Sequence, residues 1–160
     1  MRVYQLDRAQ VVHRPVEDVF RFFADARNLE DITPPWLRFE LVTREPIEMS
    51  VGTLIEYRLR LHGIPLRWVS RIDVWEAGCR FVDRQVRGPY RLWEHLHTVE
   101  PHPEGTLSSD HVRYALPLGV LGVAIHRAVV ERDLRRIFDH RRQAVTRLLG
   151  GAVTSGHDPR

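Results

Sequence analysis

Lysine is absent from this chain, so all 24 of its basic side chains are arginine. That absence changes how the high isoelectric point of about 9.6 is read. Little titrates between histidine and arginine, so a formal charge of only +3 persists to high pH. An isoelectric point of that origin gives little support to a nucleic-acid partner. Cysteine is nearly absent too. Cys79 stands alone, which excludes an intrachain disulfide and suits a reducing cytoplasm. It lies beside a turn glycine with no evident activating base, which argues against a nucleophilic role. No apolar run approaches the length of a membrane span, and the opening "MRVYQLDRAQ" lacks a signal-peptide pattern. The expectation is a cytoplasmic protein without a membrane span. Also missing are a glycine-rich phosphate loop, a nucleophile elbow, zinc-finger spacing, internal repeats and low-complexity tracts.

What is present is enough for one globular unit. A chain of 160 residues with 43 % hydrophobic content and four tryptophans can bury a sizeable core. "VYQLDRAQVV" reads as extended, and "RPVEDVFRFFADARNL" as a helix with Val16, Val19, Phe20 and Phe23 on one face. Pro34 and Pro35 interrupt the helical pattern. Six strand candidates follow, "WLRFELVTR", "GTLIEYRLRLHG", "PLRWVSRIDVWE", "RFVDRQVRG", "YRLWEHLHTVEP" and "TLSSDHVRYALP". The separators, such as "HGIP", "EAG", "RGP" and "HPEG", are short and turn-like, so a sequential antiparallel meander is expected. After Pro117 the period becomes helical, with Val130, Leu134, Ile137, Phe138, Val145 and Leu148 along one stripe. Arg141 interrupts that stripe. It either snorkels to its edge or carries a guanidinium into a cavity beneath the helix. The expected organisation is a domain over 1–149 and a loose tail over 150–160.

Strand parity assigns the faces. Ile55, Tyr57, Leu59 and Leu61 share one side, as do Leu66, Trp68, Ser70 and Ile72, and as do Asp110, Val112, Tyr114 and Leu116. Arginines and acids take the opposite sides. In "FVDRQVRGPYRLWEHLHTVEP" the outward set is Arg80, Arg84 and Glu94, which leaves Asp83, Gln85, Trp93, His95 and His97 pointing inward. A strict two-residue loop at Gly88-Pro89 would pair Asp83 with Glu94 and flip one strand. A loop one residue longer pairs Asp83 with His95 and keeps the inward set. Of the tryptophans, Trp68 and Trp93 are expected against the ligand, and Trp36 and Trp75 are expected to matter less to it.

The order strand, helix, meander, long helix resembles the START-like, or SRPBCC, superfamily, which includes polyketide cyclases and the major birch pollen allergen. The segments "NLEDITPPW", "FVDRQVRGPYRLWEHLHT", "DHVRYALPLG" and "RIFDHRR" are similar to a bacterial ligand-binding branch of it. The match concerns Asp83, Gln85, Gly88, Pro89, Tyr90, Trp93, His95, His97, Asp110 and Tyr114. Val99 departs from it, standing where an aromatic is expected. The resemblance implies an α+β helix-grip fold, a curved antiparallel sheet wrapped around a long C-terminal helix, with a ligand cavity between them.

Three chemistries fit these residues. His95 and His97, two apart on a strand, can point two imidazoles the same way, with Asp83 or Asp110 as a third metal ligand. The spacing fixes no third partner, and SRPBCC proteins mostly work without metal, so no metal or cofactor is expected. A histidine–aspartate pair drawn from Asp83, His95, His97 and Asp110 can serve acid–base catalysis, as in a cyclase or dehydratase. The same four residues can instead satisfy one another and orient a ligand's polar end. The reading adopted is binding of a small, mostly apolar ligand, lipid-, polyketide- or isoprenoid-like. Tyr57, Leu59, Trp68, Val112 and Tyr114 would hold its body. Asp83, Gln85, Trp93, His95, His97 and Asp110 would line its polar end, with Arg141 as counter-charge. No nucleic-acid partner is expected, although an arginine-rich outer sheet leaves an interaction module as an alternative. A monomer or a homodimer would serve equally.

Overall fold

A computed structural model describes residues 1–117 and 129–150. The expected loose tail, from 151, and the first part of the expected C-terminal helical run, 118–128, lie outside the described residues.

The chain opens with strand β1 (Tyr4–Val12) and helix α1 (Val16–Ala24). Val19 and Phe20 form the buried face of α1. The helix stops earlier than the sequence pattern suggests. Asp25 turns extended, and its side chain accepts a bond from the Arg27 N–H, starting a tight turn over Ala26–Asn28. Helix α2 (Leu29–Ile32) follows. The expected strand over "WLRFELVTR" shrinks to β2 (Glu40–Leu41). Proline-led turning occupies Pro35–Leu37, and Arg38 adopts a left-handed φ of 46°, so the backbone is extended only beyond it.

Strands β3 (Leu54–Leu61), β4 (Ile64–Glu76), β5 (Arg80–Arg87), β6 (Leu92–His102) and β7 (Gly105–Ala115) then run as an antiparallel meander. β1 pairs with β7, giving the order β1-β7-β6-β5-β4-β3-β2. His62 and Gly63 form the β3–β4 turn with φ of 50° and 81°, the positive values a two-residue type I′ hairpin requires. Helix α3 (Glu131–Leu149) lies across the sheet's inner face and buries Leu134, Phe138, Arg141, Ala144 and Val145. Gln10 of β1 reaches the Arg142 carbonyl and the Thr146 hydroxyl, tying that sheet edge to the helix. Leu148, expected within the apolar stripe, is 44 % exposed.

Two irregularities adjust the faces. The β4–β5 pairing shifts between Ile72 and Val74, so Trp75 turns inward and packs on Phe20 and Phe81. A bulge adds one residue and reverses parity beyond it, which packs the partly buried Trp75 against the core. Trp36 is 50 % exposed. The core divides into a cluster around Val12, Val19, Phe20, Ile72, Phe81 and Val145, and a second around Trp68, Trp93, Val112, Tyr114, Leu134 and Phe138. Among the described residues no helix is long and apolar enough to cross a membrane.

Candidate functional site

The β5–β6 hairpin sets the site. Asp83 pairs with His95, Phe81 with His97 and Arg84 with Glu94, the register of the longer loop. Gln85 stabilises that loop from inside. Its amide donates to the Tyr90 carbonyl and its oxygen accepts from the Tyr90 N–H, at 2.7 and 3.2 Å. On the other flank of β6, His97 pairs with Asp110 and His95 with Val112. Each aspartate therefore stands beside one histidine and bonds to the other, diagonally. His97 Nε2 lies 2.8 Å from Asp83 Oδ2, and His95 Nε2 lies 2.8 Å from Asp110 Oδ1. The two imidazole rings are 3.7 Å apart at their centroids. The outer face of His97 stacks on Phe81 at 4.1 Å.

Supporting bonds extend outward. The Trp68 indole N–H donates to Ser70 Oγ at 3.1 Å, and the Ser70 hydroxyl donates to Asp83 Oδ1 at 3.2 Å. From α3, Arg141 donates to both oxygens of Asp110 at 3.3 Å, with its guanidinium over the Phe23 ring. Only 9 % of Arg141 is exposed. It carries its charge into the interior rather than snorkelling to the edge.

Electrostatics follow from burial and these contacts. Burial lowers the His95 value from 6.5 to about 4, helped by the neighbouring His97 and opposed by Asp110. Burial acts the same way on His97, but the bonds and charges of Asp110 and Asp83 together exceed it and raise its value. For Asp110 burial is the largest single influence and pushes upward. Arg141 and the two histidines overcome it and hold the carboxyl well below its usual range. Asp83 is likewise lowered against burial, by His97, His95 and Ser70. Two carboxylates held low thus face the Arg141 guanidinium, and His97 favours its proton more than His95 does. Burial, with Asp83 nearby, raises the Tyr57 phenol well above its ordinary value.

A cavity of about 110 Å³ opens beside this cluster. Of the residues singled out from sequence, Tyr57, Asp83, Trp93, His95, His97 and Arg141 line it. Asp110 stands behind the histidines. Trp68, Val112 and Tyr114 belong to the second core cluster, against which Leu59 packs, and Gln85 supports the hairpin loop. The opposite wall was not anticipated. It comes from Phe22, Phe23, Asn28, Leu29, Ile32 and Met49. The doublet Phe22-Phe23 was its one visible signal, because adjacent aromatics on a helix cannot share a single buried face.

Solved structures with the same fold are distant in sequence. TTHA0849 from Thermus thermophilus is 20% identical, with a TM-score of 0.65 over 92% of this chain and 97% of that one. The Zhui aromatase/cyclase from Streptomyces sp. R1128 is 16% identical, with a TM-score of 0.66 over 98% of this chain and 100% of that one. Ginseng major latex-like protein 151 from Panax ginseng is 11% identical, with a TM-score of 0.63 over 92% and 97%. Among curated proteins none matches the sequence. These likenesses show the helix-grip fold. A family model described as polyketide cyclase / dehydrase and lipid transport matches residues 12–141, and the chain belongs to that family, within the SRPBCC superfamily.

Proposed function

We propose that the protein binds a small, mostly apolar molecule whose polar end meets Asp83, His95, His97 and Arg141. One observation carries this reading: the polar cluster of Asp83, His95, His97 and Arg141 forms one wall of a cavity whose other walls are Phe22, Phe23, Leu29, Ile32, Met49, Ile55 and Ile72. Ligand sites combine an apolar lining with a few convergent polar groups in this way. The family's description, which includes lipid transport, is consistent with it. The cavity of about 110 Å³ is smaller than the roughly 300–1,000 Å³ usual for ligand pockets. A longer apolar body therefore requires the α1–α2 wall to move outward, with Phe22, Phe23 and Leu29 giving way.

The cyclase or dehydratase reading rests on a histidine–aspartate pair, and two stand ready at 2.8 Å, His95–Asp110 and His97–Asp83. A general base works best with a value near the operating pH, and His95 is pushed down to about 4. That disfavours His95 as the base and leaves His97, whose value is raised, as the candidate, so the binding reading rests on the cavity's apolar lining. The outer-sheet reading is weakened by charge pairing, since Glu56 holds Arg67, Asp73 holds Arg71 and Arg84, and Glu94 holds Arg84 and Arg113. The test uses an apolar fluorescent probe such as anilinonaphthalene sulfonate. Tryptophan emission should fall with saturation near one equivalent. Trp93→Phe should remove most of that change, and Trp36→Phe little of it. Quenching that survives Trp93→Phe and vanishes with Trp36→Phe would place the probe on the surface and overturn the reading.

A further inference from the structure

We propose that Asp83, His95 and His97 form a site for one first-row divalent metal ion, zinc or ferrous iron, open toward the cavity. The sequence suggested no metal because it fixed no third ligand beside the two histidines. The fold supplies one. Each of the three residues offers a ligand atom, all within 4.8 Å of one another. Asp83 Oδ2 lies 2.8 Å from His97 Nε2 and 3.7 Å from His95 Nδ1. Those spacings bracket the ~3.3 Å between neighbouring donors that bonds of about 2.0 Å impose around a tetrahedral ion. His95 Nδ1 makes no hydrogen bond among the described residues. With Nε2–H donated to Asp110, its lone pair faces a carboxylate oxygen. That oxygen, Asp83 Oδ2, also meets His97 Nε2, so the three donor atoms converge on one point.

The surroundings also suit a metal. Ligating histidines ordinarily give their other ring N–H to a carboxylate, and ligating carboxylates are themselves hydrogen-bonded. Here the remaining nitrogens of both histidines face one oxygen of Asp110, at 2.8 Å from His95 and 3.3 Å from His97. Ser70 holds the other oxygen of Asp83. Arg141 bonds both oxygens of Asp110, and its Nη2 lies 3.4 Å from His97 Nδ1. Two imidazoles and a carboxylate are the donor set of zinc and of non-haem iron sites that keep open positions. All three ligands line the cavity, so the open positions face it. A divalent ion there takes the place of any proton on His97 Nε2, which leaves to solvent, and with Asp83, Asp110 and Arg141 it gives one net positive charge. That charge suits a singly anionic ligand, hydroxide or a carboxylate, at the open position.

The inference goes beyond apolar-ligand binding and does not depend on it, because probe binding by metal-free protein tests that reading separately. The test strips the protein with chelator and titrates it with Co²⁺, followed by visible absorption, and with Zn²⁺, followed by calorimetry. The expected result is one equivalent with the intense bands of a low-coordinate cobalt site. Asp83→Asn should weaken binding at least 100-fold, and Asp110→Asn by about 10–100-fold, the usual worth of an outer-shell partner. A circular dichroism melt establishes that each variant is folded. Should Asp83→Asn not fold, the wild type carries its own readout, since bound Co²⁺ should broaden the Trp93 indole resonance. Absence of a stoichiometric site would overturn the proposal. So would binding that leaves Trp93 sharp and is lost on His62→Ala or His111→Ala, because that metal would sit on surface histidines.

Discussion

His95 and His97 are two residues apart on one strand and share one wall, yet they hold their protons differently. His97 lies between two carboxylates, which raise its value, whereas His95 has one close carboxylate and its value falls to about 4. The sign of the pH dependence follows for metal-free protein. The folded value of His95 lies below its unfolded value, so on acidification the unfolded chain takes up that proton first. Its contribution to stability is complete above about 6.5 and is lost as pH falls toward about 4. His97 acts oppositely, stabilising below the unfolded value and losing that contribution as pH rises through its raised one. His95→Gln, which retains neutral hydrogen bonding, should flatten the decline in urea stability between pH 6.5 and 4, by up to roughly 3 kcal/mol at about 1.4 kcal/mol per unit. An unchanged slope would mean that His95 is not neutral in the fold. The inward placement of both histidines was legible in the sequence, because alternation on β6 leaves only one face for Trp93, His95 and His97. Their diagonal bonding was not legible. It depends on how β5 and β7 register against β6, which no periodicity encodes.

Between elements, the decisive contact joins α3 to β7. Arg141 interrupts an apolar stripe, and the sequence shows the interruption without its partner, since Asp110 lies 31 positions away. Removing Arg141 leaves the Asp110 carboxylate buried without its strongest counter-charge, a loss of the order of 3–5 kcal/mol. Arg141→Met should therefore destabilise strongly. Asp110→Asn should relieve part of that, because the double variant no longer buries an unpaired charge. Urea denaturation of the four proteins should give a coupling energy of at least ~1 kcal/mol. Additive losses would show that the two residues are not partners. The helical and strand periods marked β1, β3–β7 and α3 well, because each hides one face against the other. They failed where local chemistry overrides pattern. Asp25 ends α1 by bonding the Arg27 N–H, the left-handed Arg38 delays β2, and the bulge after Ile72 turns Trp75 inward.

At the scale of the molecule, the sheet, the α1–α2 segment and α3 enclose a cavity that is apolar on most sides and charged on one. The sequence disclosed the charged wall, because polar residues at inward positions break an otherwise apolar alternation. It hid the apolar wall, since Leu29 and Ile32 lie in the single-turn helix α2 and Met49 in a loop, too short to show a repeating period. The convex side of the sheet carries arginines largely held by Glu56, Asp73 and Glu94, which accords with a modest net charge of +3. If function resides in the cavity, the most direct measurement is native mass spectrometry of protein purified gently from its own host. The expected spectrum shows one small organic molecule per chain, displaced by an apolar probe and depleted in Asp83→Asn and Arg141→Met variants that still fold. A molecule retained undiminished in both variants would contradict the account. So would bare protein that also leaves the probe unbound.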